Sequence, residues 1–171
     1  MELKIAYYKT PIGIAKIAVD ENGIQSISVL EEDSLSSQQF QFNTPENTKE
    51  SFPKCIQDGI QQLAEYFEGT RTIFDLILNP QGTAFQQLVW KELLTIPFAK
   101  TSTYLEQTKK IGDPKAIRAV AAANGKNPIW IVIPCHRVIG SDGSLTGYAG
   151  GLWRKKWLLE HESPVKQQAL F

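Results

Sequence analysis

The stretch DPKAIRAVAAANG, residues Asp113–Gly125, is the best-specified helix of the chain. Asp113 can accept a backbone N–H at the cap, Pro114 suits a first helical position that has no use for its missing N–H, and Gly125 stands just past the end. Ile117, Val120 and Ala121 are expected to face a core, while Lys115, Arg118 and Ala122 line the other side at i, i+3 and i+7. Small side chains around one arginine let such a helix lie close to a nucleic-acid backbone, although alanine also enters helices by propensity alone. Upstream, Thr103 to Ile111 reads as a second short helix, and the Gly112-Asp113 joint makes the pair resemble a helix-turn-helix. Before it, Thr83 caps a helix with Phe85, Leu88, Val89, Glu92 and Leu93 along one side.

The other half of the chain is patterned differently. Three short strands, Leu3 to Lys9, Ile14 to Val19 and Ile24 to Leu30, are separated by Pro-Ile-Gly and Glu-Asn-Gly turns and predict an antiparallel meander. A polar stretch from Glu31 to Ser51 reads as a surface loop. Pro53 then starts an amphipathic helix with Ile56, Ile60, Leu63, Ala64 and Phe67 on one face, Gly69 stops it, and a strand comes next near Ile73 to Leu78. Asn79-Pro80-Gln81-Gly82 is a natural boundary. The expected architecture is α+β: a scaffold domain over 1–80 with a small antiparallel sheet and a helix, and a helical domain over 81–171 with a winged helix-turn-helix-like motif.

Composition narrows the class. With 42% apolar and 21% charged residues among 171, the chain can bury a core and is neither disordered nor fibrous. No apolar run approaches the ~18 residues of a membrane span, and the N-terminus lacks a signal-peptide pattern, so a soluble, cytoplasmic protein without membrane contact is expected. Two cysteines and two histidines are too few for a structural zinc site, and neither metal nor cofactor is expected. The net charge is zero, yet residues 1–84 carry about −6 and residues 85–171 about +6. A basic half suits nucleic acid, although scattered surface charge gives the same sum.

Ile129 to Ile133 is an apolar run expected to be a buried strand, which ends at Pro134 and delivers Cys135, His136 and Arg137 into a turn. Imidazole and guanidinium neighbours would raise the thiolate fraction of a cysteine. Adjacent strand residues point to opposite faces, so His136 reaches Cys135 only across a bend or through a water. Glu162 falls at the C-terminal end of a helix that begins after Gly150-Gly151, where a carboxylate is better placed against a cation or an imidazole. Nucleophile, base and orienting carboxylate would make Cys135, His136 and Glu162 a relay.

These residues resemble the O6-alkylguanine-DNA alkyltransferases, also called methylated-DNA protein-cysteine methyltransferases. The likeness is carried by IPCHRVIG at Ile133 to Gly140, Lys126-Asn127-Pro128 before it, and TGYAGG and LLEHE after it, and it runs from about Ala84 to Glu162. The resemblance implies that Cys135 accepts the alkyl group from O6 of a guanine flipped out of duplex DNA, with His136 acting through a water and Glu162 orienting it. It also implies that Tyr104 donates to the base, Asn127 braces the cysteine loop, and Arg118 fills the gap left by the nucleotide. Lys115, Ala119 and Ala122 would lie with them on the minor-groove face, and Val138, Tyr148, Ala149 and Trp130 would shape the pocket. The thioether product cannot be hydrolysed, so each molecule would act once, as a monomer; O4-methylthymine is a further expected substrate. Ala149 stands where many relatives have Ser, which removes a side-chain donor near the guanine O6 but keeps the backbone N–H, and the bulk of Trp130, greater than that of its counterpart in some relatives, predicts poor reaction with benzylguanine. Zinc ligands of some relatives have no counterpart. The tail Gln167 to Phe171 resembles the pentapeptide that binds bacterial sliding clamps. The alternatives are a lesion-binding protein without transfer, which the presence of Cys135 disfavours, and a cysteine hydrolase, which leaves Arg118 and the basic half unexplained.

Overall fold

The computed structural model describes residues 2–32, 42–48 and 52–164. It divides into two compact units, Met1–Gln81 and Gly82–Phe171. In the first, β1 (Lys4–Thr10), β2 (Gly13–Asp20) and β3 (Gly23–Leu30) form an antiparallel sheet in the order β1-β2-β3. The expected strands are therefore present, each within a residue or two. Gly23 is required at its turn: φ is +141°, and a Cβ would lie 2.7 Å from the Ile77 carbonyl. Helix α1 (Lys54–Glu68) starts at Pro53, ends on left-handed Gly69, and buries Ile56, Ile60, Leu63 and Ala64. The Ile and Leu side chains each contribute roughly 1.5–3 kcal/mol of burial free energy.

Two expectations for this unit change. Ile73 to Leu78 is no strand; only Leu78 bridges, in parallel, to Ile24. Gln62 takes the place of a strand partner, accepting from Asp75 N–H at 2.8 Å and donating to its carbonyl at 2.9 Å, and Ile73 and Ile77 remain exposed. The polar stretch is not all surface, because Thr48 is completely buried and Asn43 pairs with Tyr7 of β1 through backbone and side chain. Residues 33–41 and 49–51 of that stretch lie outside the described residues.

The second unit holds α2 (Ala84–Leu93), α3 (Tyr104–Ile111), α4 (Ile117–Gly125) and α5 (Leu152–Glu162). Thr83 and Gln86 close a capping box on α2, and Thr103 caps α3, which ends on left-handed Gly112. Asp113 caps as expected, accepting from Lys115 N–H, but the helix it starts is a 3-10 turn over Pro114–Ala116 before α4 proper, and Gly125 is the last helical residue rather than the first beyond. The core side of α4 is Val120, Ala123 and Asn124; Ile117 and Ala121 face outward, contrary to expectation. The buried side is set by the partners of α4, since Trp90 holds the Ala123 carbonyl and Gln107 holds the Asn124 side chain. Trp90 Nε1–H donates to the Ala123 carbonyl at 2.9 Å, and Gln107 and Asn124 exchange two amide hydrogen bonds of 2.8 Å, locking α3 to α4.

Candidate active site

Cys135 is delivered by a buried turn rather than by the expected strand. Ile133 N–H donates to the Ile129 carbonyl at 3.0 Å, and Ile131 takes a left-handed φ of 75°. Asn127 makes that fold possible: its Oδ1 accepts from Ile129 N–H at 2.9 Å, and its Nδ2 donates to the Ile133 carbonyl at 2.8 Å and to Cys135 Sγ at 3.2 Å. One side chain thus satisfies buried backbone groups that a strand would have paired in a ladder. A 3-10 turn, Cys135–Arg137, comes next and leads into β5 (Val138–Ile139), which pairs in parallel with β4 (Ser102–Thr103) at the start of α3.

Behind the thiol lies a fully buried ionic cluster. His136 Nε2 is 2.8 Å from Glu162 Oε2, and Arg137 donates to the same carboxylate through Nε at 2.8 Å and Nη2 at 3.1 Å. Burial pushes the Glu162 carboxyl up, but the hydrogen bonds from His136 and Arg137 more than reverse this and hold it well below the carboxylate range. Burial keeps the His136 imidazole neutral by lowering it below its ordinary value. An ionised carboxylate only accepts, so the proton sits on Nε2 and the lone pair on Nδ1, which has no hydrogen-bond partner among the described residues. His136 is therefore built as a neutral base.

The charges that bear on the thiol come from elsewhere than His136 and Arg137. Burial pushes the Cys135 thiol up, and the opposing influences are the Asn127 hydrogen bond and the Lys155 charge. His136 is neutral, and Arg137 is engaged by Glu162 and by the Ile96 carbonyl at 2.7 Å.

In front of Cys135 is an open cavity of about 440 Å³. Its walls are Tyr104, the outward face of α4 (Ile117, Arg118, Ala121), and the segment Thr146–Ala149. Tyr104 Oη donates to the Thr146 carbonyl at 2.7 Å. Of the expected pocket residues, Tyr148 and Ala149 line it, while Val138 is completely buried and Trp130 stands behind Tyr148 with ring centroids 5.9 Å apart. The expected core residues Ile117 and Ala121 turn out to be wall. Lys115, in the 3-10 turn, and Ala119 and Ala122, in α4, are exposed and do not line the cavity. Among the described residues no group of three His, Cys, Asp or Glu is placed to hold a metal ion.

Sequence reasoning passed over Lys155, which is completely buried and donates to the carbonyls of Val138 at 2.6 Å, Thr146 at 2.8 Å and Gly147 at 3.3 Å. A signal existed: Lys155, Leu158 and Glu162 fall at i, i+3 and i+7, the buried stripe of α5.

A thiol on a clasped turn, a neutral histidine behind it, and a cavity walled by the second helix of a helix-turn-helix define a protein that uses a cysteine nucleophile beside a nucleic-acid-binding type of motif. Residues 3–80 match the family model described as 6-O-methylguanine DNA methyltransferase, ribonuclease-like domain, and residues 84–164 match that family's DNA binding domain. The chain belongs to this family. It is 42% identical over 157 residues to a methylated-DNA--protein-cysteine methyltransferase of Methanosarcina acetivorans, covering 92% of this chain and 96% of the relative. The Mycobacterium tuberculosis O6-methylguanine methyltransferase superposes with a TM-score of 0.77 at 40% identity, covering 99% of this chain and 100% of that one. A second Mycobacterium tuberculosis structure, OGT in complex with DNA, has a TM-score of 0.77 at 40% identity and covers 98% and 99%.

Proposed function

We propose that this protein repairs DNA by moving an alkyl group from O6 of guanine to Cys135, irreversibly and once per molecule. The observation that carries the reading is the placement of the Cys135 thiol at a cavity whose other wall is the Arg118 face of α4. A water passes the thiol proton to Nδ1 of neutral His136, and the thiolate attacks the saturated alkyl carbon. The carbon–O6 bond breaks, its electron pair passes to the guanine ring, and the ring takes up a proton to leave ordinary guanine and a thioether. Glu162 fixes the tautomer that makes His136 a base. Tyr104, by exchanging its Thr146 acceptor for the base, supplies a donor as charge develops on the ring. Extruding the base costs a few kcal/mol, which Arg118 offsets by occupying the gap.

Every group in this scheme comes from residues 82–171, so one chain suffices, and a monomer is the working form. Docking of Lys115, Ala119 and Ala122 in the minor groove, where bases look alike, suits a protein that must act in any sequence. Val138 would contribute only through its backbone, and Trp130, packed on Tyr148, limits the room for bulky free bases. O4-methylthymine offers the same saturated carbon and is proposed as a second substrate. Among the described residues no helix is long and apolar enough to cross a membrane, which suits action in the cytoplasm. The tail Gln167 to Phe171 lies outside the described residues. We propose it as a sliding-clamp contact; unchanged affinity for the cognate clamp after deletion of Leu170 and Phe171 would exclude it.

The deciding experiment is intact-mass spectrometry after incubation with excess duplex DNA carrying one O6-methylguanine. A gain of one methyl per chain, located on Cys135, absent in Cys135→Ala and never exceeded, is the expected result. Tight lesion binding without mass gain would make the protein a lesion-binding module, and repeated product release per thiol would make it a hydrolase.

A further inference from the structure

Lys155 is a completely buried cation that makes no ion pair among the described residues. Its three ammonium protons go to Val138, Thr146 and Gly147, and its Nζ lies 5.7 Å from the Tyr104 ring centroid. Val138 directly follows the Cys135–Arg137 turn, while Thr146, Gly147 and Tyr104 line the cavity. The ammonium therefore sits just behind the wall that faces Cys135. A buried lysine used only to tie three carbonyls together is an expensive device, since a neutral amide could serve two of them without a desolvated charge.

We propose that Lys155 is a positioning residue that also supplies the counter-charge for the Cys135 thiolate, a role for which residue types alone had favoured His136 and Arg137. This rests on the alkyl-transfer reading above. The Tyr104 ring lies beside the ammonium, and the Cys135 thiol and the His136 imidazole feel its charge; Glu162 is already held by Arg137 and His136. Burial lowers Lys155 to about 8, the Cys135 charge opposes that, and Lys155 in turn lowers the thiol. The coupling is thus mutual, as linkage demands. At neutral pH Lys155 keeps its proton during transfer, and no bond to it forms or breaks.

The test measures the rate at which iodoacetamide carbamidomethylates Cys135, with loss of iodide, as a function of pH, with the adduct placed by peptide mass mapping, in the full chain, Lys155→Gln, Lys155→Arg and Cys135→Ala. Lys155→Gln keeps donors for the wall without the charge. Its thiol is expected to titrate at least one unit higher, with about tenfold slower reaction at neutral pH, while Lys155→Arg stays within about threefold. If Lys155→Gln folds and titrates like the unaltered protein, the counter-charge role is wrong. Should the variants not fold, the unaltered protein still decides: lysine side-chain carbon NMR is expected to show the Lys155 titration moving down after Cys135 is alkylated by iodoacetamide, and no movement overturns the proposal. Neither readout uses DNA, so failure here leaves the methyl-transfer experiment free to stand or fall by itself.

Discussion

Glu162 ends α5, where the carbonyl-rich terminus of a helix repels negative charge, yet it is held ionised by an imidazole and a guanidinium. The stability consequences have definite signs. Glu162 is depressed in the fold, so its contribution is complete above the unfolded carboxyl value near ~4.3 and is lost as pH falls below it. His136 is also depressed, so below about 6.5 the unfolded chain binds a proton that the folded chain refuses, and stability begins to fall there. Urea midpoints are therefore expected to drop in two stages, first from about pH 6.5 and again from about pH 4.3, and the first stage is expected to vanish in His136→Phe. Glu162→Gln leaves the Arg137 guanidinium buried without its anion and is expected to cost about 3–5 kcal/mol in the same assay. Asn127→Ala removes three hydrogen bonds, strands the Ile129 N–H and leaves the Ile133 carbonyl with only the Cys135 N–H, which predicts a loss of about 2–4 kcal/mol by urea unfolding and a slower-reacting thiol.

At the scale of elements, the coupling of α3 to α4 rests on the Gln107–Asn124 amide pair, which is wholly buried. Replacing Gln107 by Leu leaves the Asn124 amide unsatisfied and is expected to cost about 1–3 kcal/mol, whereas replacing both by Leu is expected to cost less than the sum of the single changes; thermal unfolding of the four proteins closes the cycle. Elements with local punctuation were legible in the sequence. Pro53 and Gly69 bound α1, Gly112 ends α3, and Asp113 caps the 3-10 turn that leads into α4, because each acts on backbone within a turn of itself. Segments ruled by distant partners were not. Ile129 to Ile133 is as apolar as a buried strand, and only the Asn127 side chain folds it into a turn. Ile73 to Leu78 loses its strand to Gln62, thirteen residues away from Asp75. Lys155 was overlooked because lysines ordinarily face water, although its stripe position was visible. Cys135, His136 and Glu162 were legible because their chemistry is written in residue types, while their electrostatics depend on burial that no spacing reports.

For the whole molecule, the separation of charge becomes a prediction about binding to DNA. The zero net charge gives no general attraction to a polyanion, so affinity must come from the local basic surface around the helix pair. Lys109, Lys115 and Lys126 flank α3 and α4 on exposed positions, while Lys110 lies 3.8 Å from Glu92 and is partly neutralised. Three phosphate contacts predict that the logarithm of duplex affinity falls against the logarithm of salt with a slope of about −3, and that each lysine-to-alanine change reduces that slope by about one. Arg118 lines the cavity rather than flanking the helices, so Arg118→Ala is expected to leave the slope unchanged. It is instead expected to slow methyl transfer from O6-methylguanine in duplex far more than transfer from the free base, which needs no extrusion. Fluorescence-anisotropy titrations across salt, run beside single-turnover transfer on both substrates, separate the two kinds of cation. A slope that falls in Arg118→Ala, together with equal slowing on duplex and free base, would turn Arg118 into one more phosphate contact and leave the flipped base without its replacement.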